Sequence, residues 1–64
     1  MSVGEAIKKI RWELRLSQQA LAKEIECSQT CVSAWELGDR TPNYKMLQKI
    51  DAFAKKHKVK VVLL

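Results

Sequence analysis

No apolar run in this sequence approaches the ~20 residues that a membrane-spanning helix needs, and its start carries no signal-peptide core. Neither a membrane protein nor an exported one is expected, and the chain reads as cytoplasmic. Cysteine is scarce: Cys27 and Cys31 are too few and too close together to staple a secreted scaffold, and a reducing compartment suits them. A zinc site is not expected either, because the lone histidine, His57, cannot complete a four-ligand set with them. His57 lies in a lysine-rich stretch with no orienting carboxylate beside a nucleophile, which argues against an enzyme. No metal or cofactor is therefore expected. A redox role for Cys27 has some chemical basis near a helix start, where thiolates are favoured, whereas Cys31 reads as a small buried apolar residue.

Disorder is excluded by composition, since 47% apolar residues with 30% charged ones is ordinary for a soluble fold. Sixty-four residues make one domain, 1–64. So small a chain buries only ~60% of its unfolded surface and must be compact, helical or oligomeric. Acidic residues are the minority: seven Asp/Glu against twelve Lys/Arg leave a net charge of +5. Solubility alone accommodates such an excess. Joined to the motif that follows, it points to nucleic acid.

That motif runs from Ser17 to Gly38, SQQALAKEIECSQTCVSAWELG. Ser17 can cap a helix in which Leu21, Ala22 and Ile25 recur at helical spacing. Glu26 and Cys27 interrupt, and Ser28 supplies a second cap. Cys31, Val32, Trp35 and Glu36 carry the repeat on to Gly38, the residue best able to take the left-handed conformation that ends a helix. Two short helices with small Ala22 at their crossing make a helix-turn-helix.

SQQALAKEI-ECSQTCVSAWELGDRTP resembles the DNA-binding domain of the phage Cro and cI repressor type, the XRE family. The likeness extends upstream to Ile7, Ile10 and Arg11 and downstream through Pro42 to about Phe53. Its most specific parts are Ser17-Gln18, Leu21-Ala22, and Trp35-Glu36-x-Gly38 followed by Arg40 and Pro42. The resemblance implies an all-α fold, a compact four- to five-helix lambda-repressor-like bundle. It also implies a salt bridge between Arg11 and Glu36, tying the first helix to the end of the recognition helix. Two positions depart from the family: Arg15 and Glu26 stand where glycine is usual, so either the first helix is a little longer or Arg15 bears some strain, and the turn at Glu26 is expected to carry a modest strain.

In chain order, Ser2-Val3-Gly4-Glu5 has the spacing of a capping box. Ala6, Ile7, Ile10 and Leu14 trace one face of a first helix from about Val3 to Leu14, with Trp12 ambiguous at the edge of the core. After the motif, DRTPN is a turn, and Asn43, with Thr41 as the alternative, caps a helix that ends near Lys56. Its stripe is Tyr44, Leu47, Ile50 and Ala54, joined by Met46 and Phe53; with Leu21, Val32 and Trp35, Leu47 and Ile50 are expected core. The tail, 57–64, breaks the pattern. The resemblance implies a short fifth helix near Val59, whereas β-branched Val59, Val61 and Val62 favour a strand. A strand needs a partner, most simply a second copy joined through Val59, Val61 and Leu63. A short helix and an ordered coil packed on the core stay open beside it.

A recognition helix enters the major groove with its N-terminal residues on base edges. Applied here, that selects Gln29, Thr30, Ser33 and Ala34 as base contacts. Glutamine can hold adenine through two hydrogen bonds, hydroxyls serve several bases, and alanine or threonine methyls fit the thymine methyl. Phosphate contacts fall to Gln18, which matches the family residue anchoring the backbone there, and to Ser28, Arg40, Thr41, Asn43 and Lys45. Lys23 is a weaker choice. The function expected is double-stranded DNA binding as a dimeric, repressor-like regulator. The alternative is a protein-interaction module of the same fold (antitoxin, antirepressor or adaptor) for which DNA is secondary.

Overall fold

A computed structural model describes residues 2–63. Four helices follow one another: α1 Val3–Glu13, α2 Gln18–Glu24, α3 Gln29–Leu37 and α4 Tyr44–Lys56. Each opens on the polar residue that local chemistry selects. The side chains of Ser2, Ser17, Ser28 and Asn43 accept from the N–H groups of Glu5, Ala20, Cys31 and Met46 respectively. Only half of the capping box forms, since no described bond returns from Glu5 to the Ser2 N–H. Glu5 lies in water, which solvates it instead.

All four helices also end alike. The amides of Leu16, Cys27, Asp39 and Val59 reach back to the carbonyls of Arg11, Ala22, Ala34 and Ala54, closing a Schellman turn each time. That turn demands a left-handed residue, and it falls on Arg15 (φ 56), Glu26 (φ 59), Gly38 (φ 84) and Lys58 (φ 59). Three of the four are not glycine, so each holds the chain in a conformation costing about 1–2 kcal/mol. What offsets the strain is the next residue: Leu16 and Cys27 pack against the core and Val59 is buried in it. Helix α1 therefore stops at Glu13, one residue short of the expected Leu14, which becomes its cap.

The core is a single cluster. Ile7 and Ile10 of α1, Leu21 and Ala22 of α2, Val32 and Trp35 of α3, and Ile50 and Ala54 of α4 meet with Ile25 and Val59. Helix α3 packs on both α1 and α2. The α1–α3 crossing is tight at Gly4, where a Cβ would stand 2.5 Å from the Trp35 carbonyl oxygen. Leu47 is half-buried rather than sealed, and Tyr44, at the first turn of α4 where the stripe runs off the bundle, is exposed. Trp12 is 65% exposed and closes no edge.

The tail takes neither regular form. Residues 59–63 are an ordered coil, so there is no fifth helix and no strand among the described residues; Leu64 lies outside them. The strand expected to join two copies through Val59, Val61 and Leu63 does not form among the described residues: Val59 is buried in the chain's own core, and Val61 and Leu63 pack half-buried against it. The Lys58 turn aims Val59 inward, alternation carries Val61 and Leu63 after it, and the Lys60 carbonyl accepts from Lys9 Nζ at 3.0 Å. No helix among the described residues is long and apolar enough to cross a membrane.

Two substitutions involving glycine should act in opposite senses. Gly4→Ala, ordinarily worth about 1 kcal/mol of added stability inside a helix, should instead cost about 1–3 kcal/mol, because backbone blocks the new methyl. Glu26→Gly should stabilise by about 1 kcal/mol by relieving the left-handed strain. Urea melts of both variants against the parent chain check the pair, and a stabilised Gly4→Ala would refute the packing argument.

Candidate nucleic-acid interface

Helix α3 is held by one carboxylate. Arg11 presents Nε to Glu36 Oε2 at 2.6 Å and Nη2 to Oε1 at 2.9 Å, a two-pronged bridge from α1 to the last turn of α3. Its remaining Nη1 donates to the Leu16 carbonyl at 3.2 Å, bracing the turn into α2. Gln18, at the start of α2, donates Nε2 to the same Glu36 Oε1 at 3.1 Å. Three helices thus converge on a side chain only 3% exposed. Burial pushes the Glu36 carboxyl up, but the hydrogen bonds from Arg11 and then Gln18, with the Arg11 charge, outweigh it and hold the group below the usual glutamate range. Arg11 is raised in turn, chiefly by its hydrogen bond to Glu36.

So positioned, α3 turns an uncharged face outward. Gln29 and Thr30 are exposed, Ser33 and Ala34 half-buried, and the four share one shallow depression with Leu37 and Asp39. The structure brings together all four residues assigned to base contacts. Leu37 and Asp39 escaped the sequence reading. Leu37 lies three and seven residues beyond Ala34 and Thr30, so helical periodicity could have found it on the same face. Asp39 reaches the depression only because Gly38 reverses the chain, and no sequence pattern announces that.

The residues assigned to phosphate divide in two. Arg40 and Thr41 are exposed and line a second groove beside the first, between the start of α1 and the end of α3. Ser2 and Lys8 join them there from α1, a contribution that sequence separation concealed. Lys45 is exposed on the first turn of α4 and lines neither groove. Gln18, Ser28 and Asn43 have structural work already. Gln18 Nε2 is bound to Glu36, and Asn43 Oδ1 caps α4 at 2.9 Å. The Ser28 hydroxyl caps α3 and donates to Cys31 Sγ at 3.3 Å. Among the described residues no hydrogen bond takes the Asn43 amide N–H groups. Cys27 is half-buried and its thiol is raised, first by burial, which works against the thiolate a redox role requires.

Residues 7–57 match the family model described as "Helix-turn-helix". A curated relative, the HTH-type transcriptional regulator DicA of Escherichia coli (strain K12), is 40% identical over 47 residues, which is 73% of this chain. The chain spans about a third of that relative's length, 35%. No solved structure gives a significant match.

The bridge carries a stability prediction with a defined pH sense. Glu36→Ala leaves a partly buried guanidinium unpaired and should cost about 3–5 kcal/mol. Glu13→Ala removes only an exposed carboxylate 4.0 Å from Lys9 and should cost far less. Because the fold lowers the Glu36 carboxyl, its contribution is complete above the ordinary glutamate value of about 4.3 and is lost as pH falls through the lower folded-state value. Melts of parent and Glu36→Gln between neutral pH and pH 3 should therefore converge on acidification. A constant gap across that range would contradict the assignment.

Proposed function

The chain belongs to the XRE-type helix-turn-helix family of DNA-binding transcriptional regulators, and from that premise we propose that it reads double-stranded DNA in a sequence-specific manner through α3. The observation carrying this is one depression that gathers the uncharged polar and small side chains Gln29, Thr30, Ser33 and Ala34, with Leu37 and a single acid, Asp39, at the end of α3, and with Arg40 and Thr41 in the adjoining groove. Such a division suits a duplex. Hydrogen-bonding groups without charge discriminate base edges, while cations at the margin neutralise phosphates and supply most of the affinity. Gln29 is the residue best able to pair with adenine in two places. Ser33 and Ala34 follow it along the groove, and the Thr30 methyl fits a thymine.

In the same reading the N-terminus of α3, with Ser28 at its cap, faces a phosphate, and Gln18 and Asn43 anchor the backbone on either side. Lys45 adds attraction from the start of α4. The protein acts as a repressor-like regulator in the cytoplasm, where its target resides, and as a dimer on two half-sites one helical turn, about 34 Å, apart.

Two substitutions separate the roles. Gln29→Ala should reduce preference for the selected site by about 1–3 kcal/mol while weak general affinity survives. Arg40→Ala should weaken all duplexes alike and flatten the salt dependence of binding. Gel shifts of both variants on a site recovered from a random pool, across a range of salt, decide the matter. Absence of duplex affinity even at low salt would replace this reading with that of an interaction module.

A further inference from the structure

The surface where the tail returns along α4 plays no part in the proposed interface. A groove of about 800 Å³ runs there, lined by Val59, Val61 and Val62 together with Lys55, Lys58 and Lys60. Val59 is buried, so half-buried Val61 and exposed Val62 supply the groove's open apolar surface. It shares no residue with the depression on α3. Val62 is 81% exposed, the highest exposure among the large apolar side chains of the described residues. Asp51 is the one acid at the edge, and it is taken by Lys55 at 3.0 Å. Among the described residues no carboxylate pairs with Lys58 or Lys60. The tail backbone is open as well. Beyond the Val59 amide, no N–H of residues 60–63 donates to another described backbone group.

We propose that this groove binds an extended acidic peptide segment of a partner protein, laid along residues 60–62, with apolar side chains on the valines and carboxylates against Lys58 and Lys60. Each part of the occupant answers an observation. An extended chain matches the N–H groups of residues 60–63, which donate to no described backbone group, as in strand addition to a free edge, although the Lys60 carbonyl is taken by Lys9. Alternating apolar side chains match a valine floor. Carboxylates match a rim whose lysines outnumber its acids three to one. A nucleic acid answers the rim and wastes the floor, since phosphate and ribose gain nothing from buried valine. A second copy presenting the same face would set lysine against lysine. The proposal goes beyond DNA recognition and requires no part of it.

The test is chemical-shift mapping of the full chain titrated with a short synthetic peptide of alternating glutamate and valine. A lysine-for-glutamate version of that peptide and a random DNA duplex serve as comparisons at the same salt. The acidic peptide should move the amides of residues 58–62 and leave those of α3 in place. A Lys58→Glu, Lys60→Glu double variant should bind it about tenfold more weakly. Its thermal melt should be unchanged, since both residues are exposed. An acidic peptide that leaves the groove silent, or a basic one that moves it equally, overturns the proposal. So does a duplex that displaces the peptide, which marks a nucleic-acid face, or groove shifts that follow protein concentration alone, which mark self-association. None of these outcomes bears on DNA reading, which is measured at Gln29 and Arg40.

Discussion

The Arg11–Glu36 bridge sets the geometry on which everything else depends. Core packing alone leaves α3 some freedom to rotate and slide, because Val32 and Trp35 are apolar contacts without direction. A two-pronged guanidinium–carboxylate pair has direction, and here it spans the first helix and the last turn of the third. The Gln18 amide extends the constraint to α2, so the start of one helix of the motif is referred to the end of the other. Such a pair is a weak source of net stability, since two charges lose water on burial. Its value is positional: a shifted α3 would leave a carboxylate that is 3% exposed without its partner. At Gly4 the same crossing is tight enough that backbone meets backbone, and the two constraints locate α3 together.

Short helices make that constraint necessary. Helices of seven and nine residues are below the length that holds without tertiary support. Caps at both ends satisfy their free backbone groups, and the chain accepts three left-handed non-glycine residues to complete them. The strain is balanced by the apolar residue after each such turn, which would otherwise be in water. At α4 the same device does more than end a helix. It sends Val59 back into the core and so decides which side of the tail faces out.

Charge is distributed in keeping with this architecture. The exposed part of α3 carries hydrogen-bonding groups without charge, while arginine and lysine stand on the turn after it and on α4. A further group of lysines surrounds the valine-floored groove along the tail. Lysines and arginines therefore stand beside both grooves, which a single figure for net charge does not show.

Much of the fold was legible in the residues. The four caps, the helical faces of Ile7, Ile10, Leu21, Val32 and Ile50, and the left-handed exit at Gly38 all rest on interactions reaching no more than about four or five residues along the chain. Gln29, Thr30, Ser33 and Ala34 share one depression for the same reason, since one helix face holds them all. Even the Arg11–Glu36 pair, 25 residues apart, was legible only because the resemblance supplied it. What tertiary structure alone decided is long-range or balanced between alternatives. Ser2 and Lys8 join the groove beside the α3 face through the crossing of α1 and α3, and Asp39 reaches that face through the reversal at Gly38. Gln18 turns inward to a carboxylate 18 residues away. Alternation made the tail look like a strand in want of a partner, yet its inward valines found the chain's own core. Local preference separates such options by less than the burial of one valine, about 1.5–3 kcal/mol, so packing chose.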